Sequence, residues 1–350
     1  MSNILYQFDP DGDVTFIMER APKSLPQNLS DLNASLLSKC YVSQSGLAKP
    51  SGLSLHIRAS SKHLILASPQ FRATFRNGFQ EGNKLRSAGQ IEMPICDWEP
   101  VPFLLLMAIF HGQTRLVPHS LCFNWLRDMA VLVDYYQCYE AVAMASDLWT
   151  REFEKKQWTI ARENPMEWLC ITWALRKNQA FEFVTKHIQL EHTEKIFANK
   201  LAIPAKVIGM SVKYVAFANL EPNDNQYTTS TDKLRTSREA GICNVIDVLY
   251  DLFHHLRYGP QLCNFECDLM RLAALVKGMQ EFGILSKTPQ RPAAGYSFLE
   301  LRTACQDMDT DYSFHCCKLM PQVLKVLDKE YDSLNRGLTL GSFAPLRAKA

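Results

Sequence analysis

The stretch from Leu53 to Phe71 constrains the fold of this chain more than any other. It opens with Leu53-Ser54-Leu55-His56-Ile57-Arg58, whose apolar residues alternate as a half-buried strand requires. The period then changes. Leu64, Ile65 and Ala67 crowd one side of a short helix over residues 61–66, with Ser60 or Ser61 expected as its N-cap. Ser68 is placed to cap a second helix, and Pro69 fits the first turn because no donor is needed there. Strand, short helix and capped second helix follow one another within twenty residues, a tightly written unit.

The segment before it fits the same plan. Phe8-Asp9-Pro10-Asp11-Gly12-Asp13 is a turn, and Val14 to Met18 reads as a strand. Asp9, Asp11 and Asp13 imitate the start of a calcium loop, but such a loop ends on a bidentate Glu at its twelfth position. Counted from Asp9, that position is Arg20, a cation. Turn chemistry explains the run. Residues 20–52 hold Pro22, Pro26, Gly46, Pro50 and Gly52, a loop insertion with at most one short helix near residues 32–37.

Downstream, residues 90–94 form a short strand ended by Pro94. Residues 100–110 are apolar on every side, which means a buried helix. Helices are expected near residues 121–133, where Leu121, Trp125, Met129 and Leu132 share a face, and near 136–149. From Thr150 onward no alternating strand is evident, and at least five helical segments are. Asn164-Pro165-Met166-Glu167, Thr236-Ser237-Arg238-Glu239 and Ser297-Phe298-Leu299-Glu300 are helix-start patterns. Residues 221–236 and 286–292 read as exposed polar loops.

At 350 residues the chain exceeds the ~250–300 at which single cores stop growing, so two domains are expected. A net charge of +2, with no basic-zipper, zinc-finger or RNA-binding signature, argues against nucleic acid as a partner. The longest apolar run, residues 101–110, is far short of the ~20 a membrane helix needs, so no membrane partner is expected. The eleven cysteines follow no framework spacing, and the N-terminus has no basic region or long apolar run. They are read as reduced thiols of a cytoplasmic or nuclear protein.

Cys263 and Cys267 would share a helix face, with His254 and His255 nearby in sequence and His315-Cys316-Cys317 further on. No CxxC knuckle occurs, so these are read as core packing, and neither metal nor cofactor is expected. No nucleophile elbow, phosphate loop, dinucleotide turn or HExxH helix is present. The chain is therefore not expected to be an enzyme, and a site in the helical half is kept as a further alternative.

Two passages carry a family resemblance. The run from Asp9 to Val14, "DPDGDV", and the run from Ser60 to Pro69, "SSKHLILASP", resemble the BTB/POZ domains of filamentous fungi. Asp134-Tyr135-Tyr136-Gln137-Cys138 is similar to those proteins as well. The resemblance implies an α+β BTB/POZ domain over residues 8–148, with 20–52 as an insertion, then an all-α domain over 149–345. It also implies protein–protein interaction rather than chemistry. Cullin-binding members carry a hydrophobic–any–Glu motif just past their second helix, and Phe79-Gln80-Glu81 stands at that place.

The expected partners are thus a cullin scaffold, as in a ubiquitin-ligase adaptor, or another BTB domain in a self-association scaffold. An unknown client would sit on the helical half. Against the cullin motif stands the plainer possibility that Phe79 closes the domain's own core and Glu81 is merely solvated. Transcription-factor-type BTB dimers exchange an N-terminal element ahead of the segment resembling Asp13–Glu19. Only eight residues precede Asp9, so that exchanged interface is expected to be largely missing and the chain to be a monomer or weak homodimer.

Overall fold

Four strands and twelve α-helices make up the computed structural model, which describes residues 2–19, 21, 24–34, 37, 53–76, 78–155, 163–193, 233–285, 295–311, 317–341 and 343. The chain divides into two units, Met1–Ile160 with Cys170–Lys177, and Ala161–Leu169 with Asn178–Ala350. The first is mixed α and β. Among the described residues the second has helices and no strand.

The sheet of the first unit has the order β1-β3-β2-β4, with β1 Ser2–Gln7, β2 Val14–Met18, β3 Leu53–Ala59 and β4 Ile91–Pro94. β2 and β3 are antiparallel with Phe16 opposite Ile57, while β1 runs parallel to β3 and β4 parallel to β2. Alternation decides the buried face: Ile4, Tyr6, Val14, Phe16, Met18, Leu55, Ile57 and Ala59 all point inward. β1 lies ahead of residue 8, where the sequence reading placed no element. The outward Leu5 interrupts the polar half of its alternation, which hides it in the sequence.

Helices α1 Ser61–Ala67, α2 Pro69–Arg76, α3 Gln80–Ala88, α4 Pro100–Phe110, α5 Phe123–Tyr136 and α6 Tyr139–Lys155 complete this unit. In α4 every residue but Ile109 is buried, as an apolar surface on all sides requires. Phe103 meets Phe16 edge-on at 5.2 Å between ring centroids, and Phe16 also packs on Phe71 of α2 at 5.7 Å.

The two signature passages meet through polar bonds. Asp13 accepts from the Ser61 backbone N–H at 2.7 Å and from the Ser61 hydroxyl at 2.6 Å. Asp13 therefore caps α1, and the side chain of Ser60, which sits at the N-cap position, makes no capping bond. Ser68 does cap α2 as expected: its Oγ accepts from the Phe71 N–H at 3.2 Å and donates to the Tyr136 carbonyl at 2.6 Å. Gly12 closes the turn, since a Cβ there would lie 2.7 Å from the Ala59 carbonyl oxygen and 2.9 Å from that of Asp9. The Asp11 N–H donates to Asp9 Oδ1 at 3.0 Å, the turn chemistry expected of this run.

Of the insertion, the described part is held down by buried Ala21, Leu25, Leu32 and Leu37 and by the Tyr6 hydroxyl donating to the Pro26 carbonyl at 2.6 Å. Residues 38–52 lie outside the described residues. Cys122 is disulfide-bonded, so not all eleven cysteines are thiols.

The second unit holds α8 Asn178–Glu191, α9 Lys233–Tyr258, α10 Phe265–Glu281, α11 Phe298–Asp311 and α12 Pro321–Leu334, and α7 Pro165–Ala174 begins within it. Its core gathers Leu190, Ile242, Ile246, Leu249, Leu275, Met279, Phe298, Leu301, Val323 and Leu327. The box at Ser297 forms reciprocally: the Glu300 N–H donates to Ser297 Oγ at 2.9 Å and the Ser297 N–H to Glu300 Oε2 at 3.4 Å. The pattern at Thr236 does not start a helix. α9 already begins at Lys233, and Ser237 Oγ accepts from Gln189 Nε2 at 2.7 Å instead. Residues 221–232 of the first expected polar loop and all of 286–292 lie outside the described residues. No helix among the described residues is long and apolar enough to cross a membrane.

Candidate functional site

Phe79, Gln80 and Glu81 stand where α2 turns into α3. Gly78 takes φ +76, a conformation that favours glycine, with nothing within reach of an added Cβ. Phe79 is then the N-cap residue of α3, and Gln80 and Glu81 form its first turn. The helix closes tightly on its predecessor because Gly82 is buried, and a Cβ there would lie 2.5 Å from the Phe75 carbonyl oxygen. Asn83 Nδ2 donates to the Gly78 carbonyl at 3.1 Å, and Arg86 donates to the Phe75 carbonyl at 3.4 Å.

The corner is thus fixed by bonds to backbone carbonyls, and Phe79 rides on it with 55% of its surface exposed. That figure removes the plainer possibility that Phe79 closes the core. Glu81 is half-buried beside it, and Gln80 is exposed. A carboxylate in the first turn of a helix is favourable where it stands. The arrangement presents one exposed aromatic side chain with an acidic neighbour beside it. The sequence places the triplet past the second helix but gives no sign of α3, whose only apolar interior residue is Leu85.

His111, unremarked in the sequence, closes the other end of the signature. From the end of α4 its Nε2 accepts from the Ser60 N–H at 3.0 Å, and Nδ1 faces the Met107 carbonyl at 2.8 Å. A backbone donor on Nε2 assigns the proton to Nδ1. Burial holds its pKa below the ordinary histidine value, with nearby His63 adding to the effect and the Met107 carbonyl and Asp9 opposing it.

The second unit brings together residues that the sequence leaves apart. The sulfur atoms of Cys263, Cys267 and Cys317 lie within 4.8 Å of one another. Cys267 is buried, Cys317 half-buried and Cys263 exposed, so core packing explains only the first. His254 and His255 do not join this group, and His315 and Cys316 lie outside the described residues. Elsewhere, burial pushes the thiols of Cys138 and Cys305 up to about 12, so neither supplies a thiolate at neutral pH. Leu262, Phe265, Leu269 and Met270, at the start of α10, are exposed apolar side chains of this unit.

No family model, no curated protein and no solved structure matches the chain.

Proposed function

We propose that the chain is a protein–protein interaction adaptor whose first unit is of the BTB/POZ type and engages a cullin scaffold through Phe79 and Glu81. The helical half would carry the client, in the cytoplasm or nucleus. The observation that carries this is the exposure of Phe79 on a corner fixed by Gly78, Gly82, Asn83 and Arg86. An aromatic side chain left in water on such a corner is best accounted for by a partner pocket. The order of strand pair, helix pair, third helix, strand and buried helix supports the family assignment, as does the Asp13–Ser61 contact that joins the two signature passages.

The test is titration of the purified chain against a fungal cullin N-terminal domain. We expect micromolar or tighter binding. Glu81→Lys should abolish it, and Phe79→Ala should weaken it by about thirtyfold, the scale of a hot-spot truncation. A folded wild-type protein that does not bind would refute the cullin part.

β1 favours a second reading, self-association, because it is the edge strand of the four described and carries Leu5 outward. Light scattering on the free chain reads it: a dimer lost on Leu5→Lys would establish that scaffold role.

A further inference from the structure

We propose that Cys263, Cys267 and Cys317 together bind one zinc ion in the helical unit. Thiols that pack as plain small hydrophobes are buried, yet here an exposed, a buried and a half-buried thiol converge from two segments far apart in sequence. Zinc with sulfur ligands at ~2.3 Å sets those sulfurs ~3.8 Å apart in a tetrahedron, so three within 4.8 Å need only small side-chain adjustments to close on the ion. The Cys263-Asn264-Phe265-Glu266-Cys267 spacing also falls in the range by which zinc knuckles offer two ligands from one turn.

The surroundings are built to hold these ligands in place. Asn264 caps α10 by accepting from the Cys267 N–H at 2.7 Å, which sets Cys267 in the first turn. The partial positive charge of a helix N-terminus favours an anionic ligand set there. Asp268 Oδ2 accepts from the Leu262 N–H at 2.8 Å and the Cys263 N–H at 3.4 Å, folding the preceding loop back towards the helix.

The same carboxylate pairs with Arg271 at 3.6 Å, and buried Arg271 donates to the Leu319 carbonyl at 3.2 Å. Met320 N–H is in turn held by Asp309 at 3.1 Å. One chain of bonds, Asp268 to Arg271 to Leu319, therefore ties the Cys263 loop to the Cys317 loop. Supporting bonds of this kind orient the ligands of a metal site. Three thiolates suit a soft or borderline ion such as zinc and disfavour magnesium or calcium. A fourth donor completes the tetrahedron, and its nature is read by experiment.

The full-length protein, purified under reducing conditions, is analysed for metal by mass spectrometry. The metal-free form is then titrated with Co(II), whose thiolate charge-transfer absorption reports sulfur ligation directly. Stoichiometric zinc and a thiolate–cobalt spectrum in the wild type are expected, with both lost in Cys263→Ser and Cys317→Ser and kept in Cys96→Ser, a control at an exposed thiol of the other unit. Circular dichroism keeps loss of folding apart from loss of ligands, and Cys263 is exposed enough for its serine variant to fold. Asp268→Asn, a positioning change, should keep the shape of the spectrum while weakening affinity by about ten- to hundredfold.

Three results would overturn the site. One is a wild-type chain that takes up neither zinc nor cobalt. Another is metal retained in both serine variants. The third is a disulfide among the three sulfurs that persists in reductant. None of these touches cullin binding, which is read on the other unit.

Discussion

The two units solve the problem of buried polar groups in opposite ways. In the first, short polar side chains carry the bonds, with Asp13 half-buried and Ser61 and Ser68 buried. Asp13 takes both the N–H and the hydroxyl of Ser61, and Ser68 accepts from one turn while donating to another at Tyr136. In the second, the large buried polar groups are Arg238 and Arg271. Each donates to a carbonyl, Tyr296 and Leu319 respectively, and Arg271 also pairs with Asp268 at 3.6 Å, while the Nε of each has no acceptor among the described residues. Neutral or singly charged short groups with saturated bonds stabilise, whereas a buried guanidinium carries a desolvation cost that a carbonyl only partly offsets.

Asp13→Ala should therefore be the most damaging single change, at about 3 kcal/mol, because two charge-assisted bonds go and the end of α1 loses its cap. Hydrogen exchange followed by mass spectrometry reads each unit through its own peptides. Exchange should accelerate across α1, β2 and β3 while the peptides of α9 to α12 stay as they were. Equal loosening of both units would break the comparison at its root, since the first unit's bonds would then not be its own. Ser68→Ala comes next, at about 2 kcal/mol, from a lost cap and a Tyr136 carbonyl left without its donor. Ser68→Thr, which keeps the hydroxyl, should recover part of that loss.

His111 sharpens the comparison through pH. Its folded pKa lies below the ordinary value of ~6.5, so between the two values the unfolded chain binds the proton more readily. The contribution is fully present above ~6.5 and is lost as pH falls towards the folded value. Denaturation midpoints of the first unit should decline over that window, and His111→Gln should flatten the decline while lowering stability at neutral pH. A midpoint that rises on acidification would show that His111 is protonated in the fold and that Nε2 does not accept from Ser60.

How far the sequence reveals the molecule follows from where each bond reaches. β2, β3, α1, α2, β4, α4 and α5 are legible because alternation, caps and apolar runs act over a few residues. β1 is hidden by one outward leucine, and α3 by Gly82, a poor helix former kept for its close approach to Phe75. Phe79 is legible in position, but its exposure depends on that approach. The thiol group is legible only in part: Cys263 and Cys267 stand four apart in the sequence, but Cys317 joins them only through the packing of α10 against the loop before α12. His111 is missed for the same reason, since its partner at Ser60 lies on another element.

Arg238 offers the smallest effect and the most pointed test. It is 2% exposed, burial holds its pKa below the ordinary arginine value, and its one hydrogen bond among the described contacts, at 2.7 Å, goes to the Tyr296 carbonyl. Replacing a buried charge by an apolar side chain of similar length removes the desolvation cost along with the bond. Arg238→Met should then change stability by less than about 1 kcal/mol in either direction, because the freed Tyr296 carbonyl roughly cancels the gain. Arg238→Ala, which also opens a cavity, should cost several times more. A methionine variant that unfolds the second unit would mean the guanidinium is as productive there as Asp13 is in the first, and the contrast between the units would reduce to one of side-chain length.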